Sequence, residues 1–147
     1  MMTLAFTAIL LGLAFLIYPL RNNKFYLLNA AMIIGAAYFT ENHWFRIQNI
    51  FSYKTILVFL AFHIVFINIS AFIAYGVDKH AAIKKEWRIP ERDLHLLEFL
   101  GGWIGAWLGQ KVFHHKTSKK SFQVMYHLMI FLEILFIFGI LKFFQLW

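Results

Sequence analysis

The sequence predicts an all-α integral membrane protein: a helical bundle of four spanning helices plus one short glycine-rich helix that is re-entrant or interfacial. Three observations lead there. Hydrophobic residues make up 61% of 147 positions and only 14% are charged, with a mean hydropathy of +0.66, whereas a soluble domain carries about a quarter charged. The apolar excess is gathered into four stretches. Charge, in contrast, crowds into Asp78–Phe122, where two basic, histidine-bearing segments flank an apolar run of eleven residues, Phe99–Gly109.

Thr3–Leu20 holds eighteen residues without a charge, Thr55–Val77 twenty-three, and Val124–Leu141 a single charge, Glu133. Phe25–Thr40 is uncharged but shorter, at sixteen. A spanning helix needs about 20 apolar residues, with about 17–25 as the working range. Three stretches qualify and the fourth is marginal. The first lacks the basic start of a secretory signal, and Pro19 followed by Arg21 reads as the end of a retained helix. The first two helices form a hairpin through Arg21–Lys24, giving an N-terminal unit over residues 1–50 and a second membrane unit over 51–147. Between them Glu41–Lys54, with His43, Trp44 and Phe45, has the aromatic character of an interfacial segment.

In the third helix Asn68, Ala71, Tyr75 and Asp78 fall on one stripe, at steps of three, four and three. An asparagine inside hydrocarbon needs a partner, so this stripe faces protein. Pro90 followed by Glu91 and Asp93 marks the start of a further helix, since proline suits the first turn and acids suit the positive end of the dipole. Gly101, Gly105 and Gly109 recur every four residues and allow close helix packing.

Charge chooses between topologies. If Leu94–Phe113 crosses the membrane, giving five spans, Lys and Arg divide eight inside against six outside. If it enters and leaves on one face, the division becomes eleven against three, which the positive-inside rule favours. Length agrees: eleven clean apolar residues make about 17 Å of helix, short of a roughly 30 Å hydrocarbon core. A helix begun at Pro90 and continued to Phe113 would reach roughly 36 Å, which is the case for five spans.

Three groups of residues could carry chemistry. The first is His114–Lys120, ahead of the last helix, with Thr117 or Ser118 as N-cap. Together with Arg88, the residues Lys116, Thr117, Lys119 and Lys120 suit a phosphate or anionic lipid headgroup at a helix N-terminus. The second is the acid and base set of Glu91, His95, Glu98 and His115, beside Asp78 and His80. His95 and Glu98 stand three apart on one helix face, and imidazole with carboxylate can act as general acid and base. Salt bridges of Asp78 or Glu91 with Arg88 or Arg92 are the plainer use of these residues. The third group lies inside the membrane: Glu133, His127, His63 and Asn68. Glu133 is about 17 Å past Phe122 and Asn68 about 15 Å before Asp78 by helix rise. An ionisable group at that depth is a functional candidate, and Glu133 is expected to meet Asn68 or His63. With no cysteine and no HExxH spacing, no metal and no cofactor is expected. The net charge of +7 finds its use at the membrane surface, so nucleic acid is not an expected partner.

Residues 66–122 resemble the bacterial membrane family called domain of unknown function 1294. The resemblance is carried by Asn68, Asp78-Lys79, Arg88-Ile89-Pro90-Glu91, Leu94-His95, Gly101-Gly102-Trp103, Gly105-Ala106, His115-Lys116-Thr117, Lys120 and Phe122. With the flanking helices it covers about the last 90 residues, residues 55–145. It implies a small multi-span inner-membrane protein without an assigned activity. Some members carry an N-terminal cold-shock domain, which is not among these residues. The family pattern usually has arginine where His114 stands and often proline where Ile104 stands.

The leading expectation is a non-enzymatic, multi-pass component of the inner membrane. Its cytoplasmic-face site would bind an anionic lipid headgroup or a partner subunit, or pack a homo-oligomer. A small membrane-embedded enzyme acting on a phosphate-containing or lipid substrate, through His115 with Glu91 or Glu98, is the alternative. A proton or ion pathway through Glu133, His127, His63 and Asn68 ranks last, because these four do not share one helical stripe.

Overall fold

The computed structural model describes residues 2–16, 20, 22–43 and 53–143, and every element among them is helical. The chain divides into two compact units, Met1–Ser70 and Ala71–Trp147. The unit boundary expected near residue 50, Pro19, and most of the segment Glu41–Lys54 lie outside the described residues.

In the first unit, α1 (Met2–Leu16) packs antiparallel on α2 (Lys24–His43). Phe6, Leu10 and Ala14, one turn apart, are buried, as are Tyr26, Ile33 and Ala37 of α2. Asn23 starts α2: its Oδ1 accepts from the backbone N–H groups of Phe25 (3.0 Å) and Tyr26 (3.2 Å), which have no partner within the helix. The Tyr26 hydroxyl donates to Leu10 O at 3.1 Å, and the Thr3 hydroxyl donates to Glu41 at 2.6 Å. The hairpin is thus tied at both ends.

The helix α3 (Tyr53–Lys84) is the longest element. It ends in a left-handed residue, Lys85 (φ 58°), with Glu86 N donating back to Ala81 O at 3.0 Å. In the second unit follow α4 (Glu91–Leu97), a π-turn at Glu98–Gly102, α5 (Trp103–Phe113) and α6 (Lys120–Phe143). Pro90 serves as the N-cap of α4 rather than a residue of its first turn, and Glu91 and Asp93 occupy that turn. The chain breaks direction at Gly101 (φ 100°, ψ 3°), a conformation that side-chain-bearing residues avoid.

Two of the expected four spans are long and apolar enough to cross a membrane: Lys54–Lys84 and Lys120–Gly139. The other two are corrected by length and content. The described part of α1 is fifteen residues, about 22 Å of helix. The twenty residues of α2 include Asn29 and finish in Thr40-Glu41-Asn42-His43, so its apolar part stays short of a bilayer. The five-span alternative fails at Gly101, where the break replaces a continuous helix from Pro90 to Phe113.

The second unit is built on a close approach. A Cβ at Gly109 would lie 2.7 Å from Tyr75 Cβ and 3.7 Å from the Phe72 carbonyl oxygen. Only glycine lets α5 come so near α3. Leu94, Leu97, Ala106 and Phe122 fill the remaining core with Ala71, Ala74 and Tyr75.

Candidate functional site

The two basic segments meet. Asp78, fully buried at the end of α3, is their hub. Its carboxylate accepts from Arg88 Nη2 at 3.1 Å, Arg88 Nε at 3.4 Å and the Ile89 N–H at 3.1 Å. From the other segment, His115 Nε2 lies 2.7 Å from Asp78 Oδ2, and Lys116 Nζ lies 3.5 Å from the same oxygen. A second tie forms between Glu91 and the segment before α6: Lys116 donates at 2.7 Å and Lys119 at 2.8 and 2.9 Å. Hydrogen bonds from Lys116 and then Lys119 lower the Glu91 carboxyl from an ordinary 4.5 to about 2. The chain from Arg88 to Lys119 therefore returns to where it left, and Asp78 and Glu91 clasp the ends together.

Backbone shape serves this clasp. His114 (φ 45°) and Lys116 (φ 63°) are left-handed, and neither is glycine. Such positions cost energy and persist where surroundings fix them. Here they turn the buried His115 toward Asp78 while Lys116, its side chain 4% exposed, reaches both carboxylates. Lys116 Nζ also sits 4.8 Å above the Phe122 ring, a favourable place for a cation. The helix α6 begins at Lys120, slightly later than the N-cap expected at Thr117 or Ser118. Lys119 is drawn to Glu91, and the Gln123 amide donates to Lys116 O at 2.9 Å.

Beneath the clasp runs a buried polar chain. The Tyr75 hydroxyl donates to Glu98 Oε1, and His95 Nδ1 donates to Glu98 Oε2 at 2.6 Å. Gln110 Nε2 donates to the Tyr75 oxygen at 3.4 Å, and Gln123 Nε2 to Gln110 Oε1 at 2.6 Å. Tyr126 closes the far side by donating to Trp103 O at 3.0 Å. Buried polar groups are costly unless paired, and these are paired with one another.

The four acid–base candidates thus fall into different sets. His115 pairs with Asp78, Glu91 with two lysines, and His95 with Glu98. Arg88 joins Asp78 as sequence allows, whereas Arg92 bonds its neighbour Asp93 at 3.4 Å. Thr117 and Lys120 are exposed. Of the intramembrane group, Asn68 donates to Ile64 O at 2.7 Å, His63 stacks on Phe59, and His127 Nδ1 lies 2.7 Å from Gln123 O. Glu133 Oε2 is buried without a hydrogen-bond partner among the described residues. Sequence reasoning missed Gln110 and Gln123. Their signal was a lone amide at the end of each apolar or basic run, and Gln123 shares a helix face with Tyr126 three residues on.

A family match covers this same region. The family model described as "Protein of unknown function (DUF1294)" matches residues 68–122, from Asn68 through the clasp to Phe122. The chain is 37% identical over 78 residues to the uncharacterized protein YsdA of Bacillus subtilis (strain 168), covering 53% of this chain and 88% of that protein. No solved structure matches. With 88% of that relative's length aligned at 37% identity and the family model matching across the clasp, this chain belongs to the DUF1294 family.

Proposed function

We propose that the protein is a non-enzymatic, multi-pass component of the bacterial inner membrane whose cytoplasmic basic surface holds an anionic lipid headgroup. The observation that carries this reading is the balance of charge around the clasp. Asp78 and Glu91 are matched inwardly by Arg88, His115, Lys116 and Lys119. General acid–base work needs a group within reach of a reactant's proton, and a saturated clasp serves better as a fixed scaffold. Residues 78–122 hold nine Lys and Arg against five Asp and Glu. The surplus includes exposed Lys84, Lys85 and Lys120, in the two segments that the clasp joins, and Thr117 of the second segment is exposed as well. A basic residue near an anionic leaflet contributes about 1 kcal/mol.

The test is the lipid that copurifies with the full-length protein, measured by mass spectrometry. Lys84→Gln, Lys85→Gln and Lys120→Gln leave the clasp's own bonds in place. Each is expected to lower the retained phosphatidylglycerol relative to phosphatidylethanolamine, by up to about fivefold. An unchanged ratio in the triple variant refutes the reading.

A further inference from the structure

The helix α5 has two unlike faces. Gly105, Ala106, Gly109 and Gln110 are buried in the second unit. Trp103, Ile104, Trp107, Leu108, Lys111 and Val112 are exposed and form one stripe. A contiguous bulky apolar stripe marks a surface that something covers. The register of α5 against its neighbours says where it lies. Gly109 meets Tyr75 and the Phe72 carbonyl, and the Phe113 ring meets Gly76 and Phe72. On α6, Gln110 bonds Gln123 and the Trp103 carbonyl bonds Tyr126. From Trp103 to Phe113 is about 15 Å of helix, yet these partners lie within about 9 Å of Asp78 and Lys120 along their own helices. A helix running alongside α3 and α6 would draw partners from a length equal to its own. The helix α5 instead crosses them near Asp78 of α3 and the start of α6.

We infer that α5 lies in the plane of the membrane interface, and that its Trp103–Ile104–Trp107–Leu108–Val112 face docks into the headgroup–acyl boundary of an anionic leaflet. This rests on the membrane reading proposed above. An in-plane helix buries its apolar face about 5–10 Å into that boundary, and the α3 and α6 residues that α5 meets lie within about 9 Å of Asp78 and Lys120 by helix rise. Two tryptophans one turn apart are the residue type that collects there. Lys111 adds the charge complement: its Nζ lies 5.8 Å from the Trp107 ring centroid, placing an ammonium on the same face for lipid phosphate. A cation and two indole N–H groups suit a wet headgroup layer rather than the dry contact of a second copy.

The experiment uses the full-length protein in nanodiscs of equal phosphatidylcholine and phosphatidylglycerol. Lipids are brominated either near the carbonyl or near the chain end. Difference spectra between wild type and Trp103→Phe, and between wild type and Trp107→Phe, isolate each emission. Both tryptophans should be quenched by shallow bromines, to similar extents, and little by deep ones. Strong deep quenching of Trp103 alone would mean that α5 dives into the leaflet, and the inference falls. Absence of quenching at either depth, with a dimer on native mass spectrometry, would assign the face to a second copy and also overturns it. Loss of headgroup retention in the lysine variants leaves these spectra unchanged, so the two readings fail separately.

Discussion

An Asp78→Ala variant removes one carboxylate and strands the groups that converge on it. Taking away one partner of a buried ion pair costs about 3–5 kcal/mol. Here the size depends on which groups can find water. Arg88, its side chain 49% exposed, can swing outward, which draws the cost toward the lower end. The buried His115 ring has no such exit, the half-buried Ile89 N–H loses its acceptor as well, and a buried polar group left unpaired costs about 1–3 kcal/mol. The expected loss is therefore about 3 kcal/mol. For a chain of this size that lowers the melting temperature by roughly 6–12 °C. Asp78→Asn keeps an acceptor for the Ile89 N–H and should lose about half as much. Far-UV circular dichroism melts in detergent micelles measure both. Glu91→Gln is the reference: Glu91 and Lys119 are 37% and 54% exposed, a pair so open to solvent contributes about 1 kcal/mol or less, and the buried Lys116 keeps Asp78 as a partner. If Asp78→Ala melts no further from wild type than Glu91→Gln does, Asp78 is not the hub and the clasp is wrong.

Two further outcomes follow from the same geometry. Gly109→Ala puts a methyl group 2.7 Å from Tyr75 Cβ, close to the α3 backbone, so α5 must move; overpacking of this kind costs about 1–3 kcal/mol. Gly76→Ala meets only the tip of the Phe113 ring at 3.0 Å and should cost less in the same melts. Acid should open the outer tie. The folded Glu91 carboxyl is held down at about 2, below its ordinary 4.5. Its contribution is thus complete above pH 4.5 and disappears as pH falls through about 2. Melting temperature should decline across that window, and Glu91→Gln should flatten the decline; parallel profiles for the two proteins would count against the tie.

Much of the clasp was legible because charge in an apolar chain stands out. That the two segments meet was expected from lysine and arginine counts and from the shortness of Phe99–Gly109, and the Asp78–Arg88 bridge was among the plain readings. The start of α4 was written in Pro90, Glu91 and Asp93. The number of spans was not legible, because an apolar run and a helix able to cross a bilayer are different things. Asn29, inside the run Phe25–Thr40, shortens what that run promises in α2. The partner of His115 was also out of reach: sequence brings it within range of Glu91, Glu98 and Asp78 alike, and the left-handed turns at His114 and Lys116 decide among them. Neither residue advertises such a turn. The Gly101 break was hidden for the opposite reason, since one glycine among several in a row does not say which of them bends the chain.

The hub joins positions 37 residues apart, with one partner lying just before the final helix. During synthesis, then, the Asp78 carboxylate waits at the end of a finished helix while the residues that neutralise it are still being made. Arg88 and Ile89 arrive early, His115 and Lys116 much later. A chain cut short before His115 keeps the contacts of Asp78 with Arg88 and Ile89 but lacks the other half of the lock and all of α6. Shut or open, that lock reports whether synthesis has passed Lys119, one helix ahead of the described C-terminal residues.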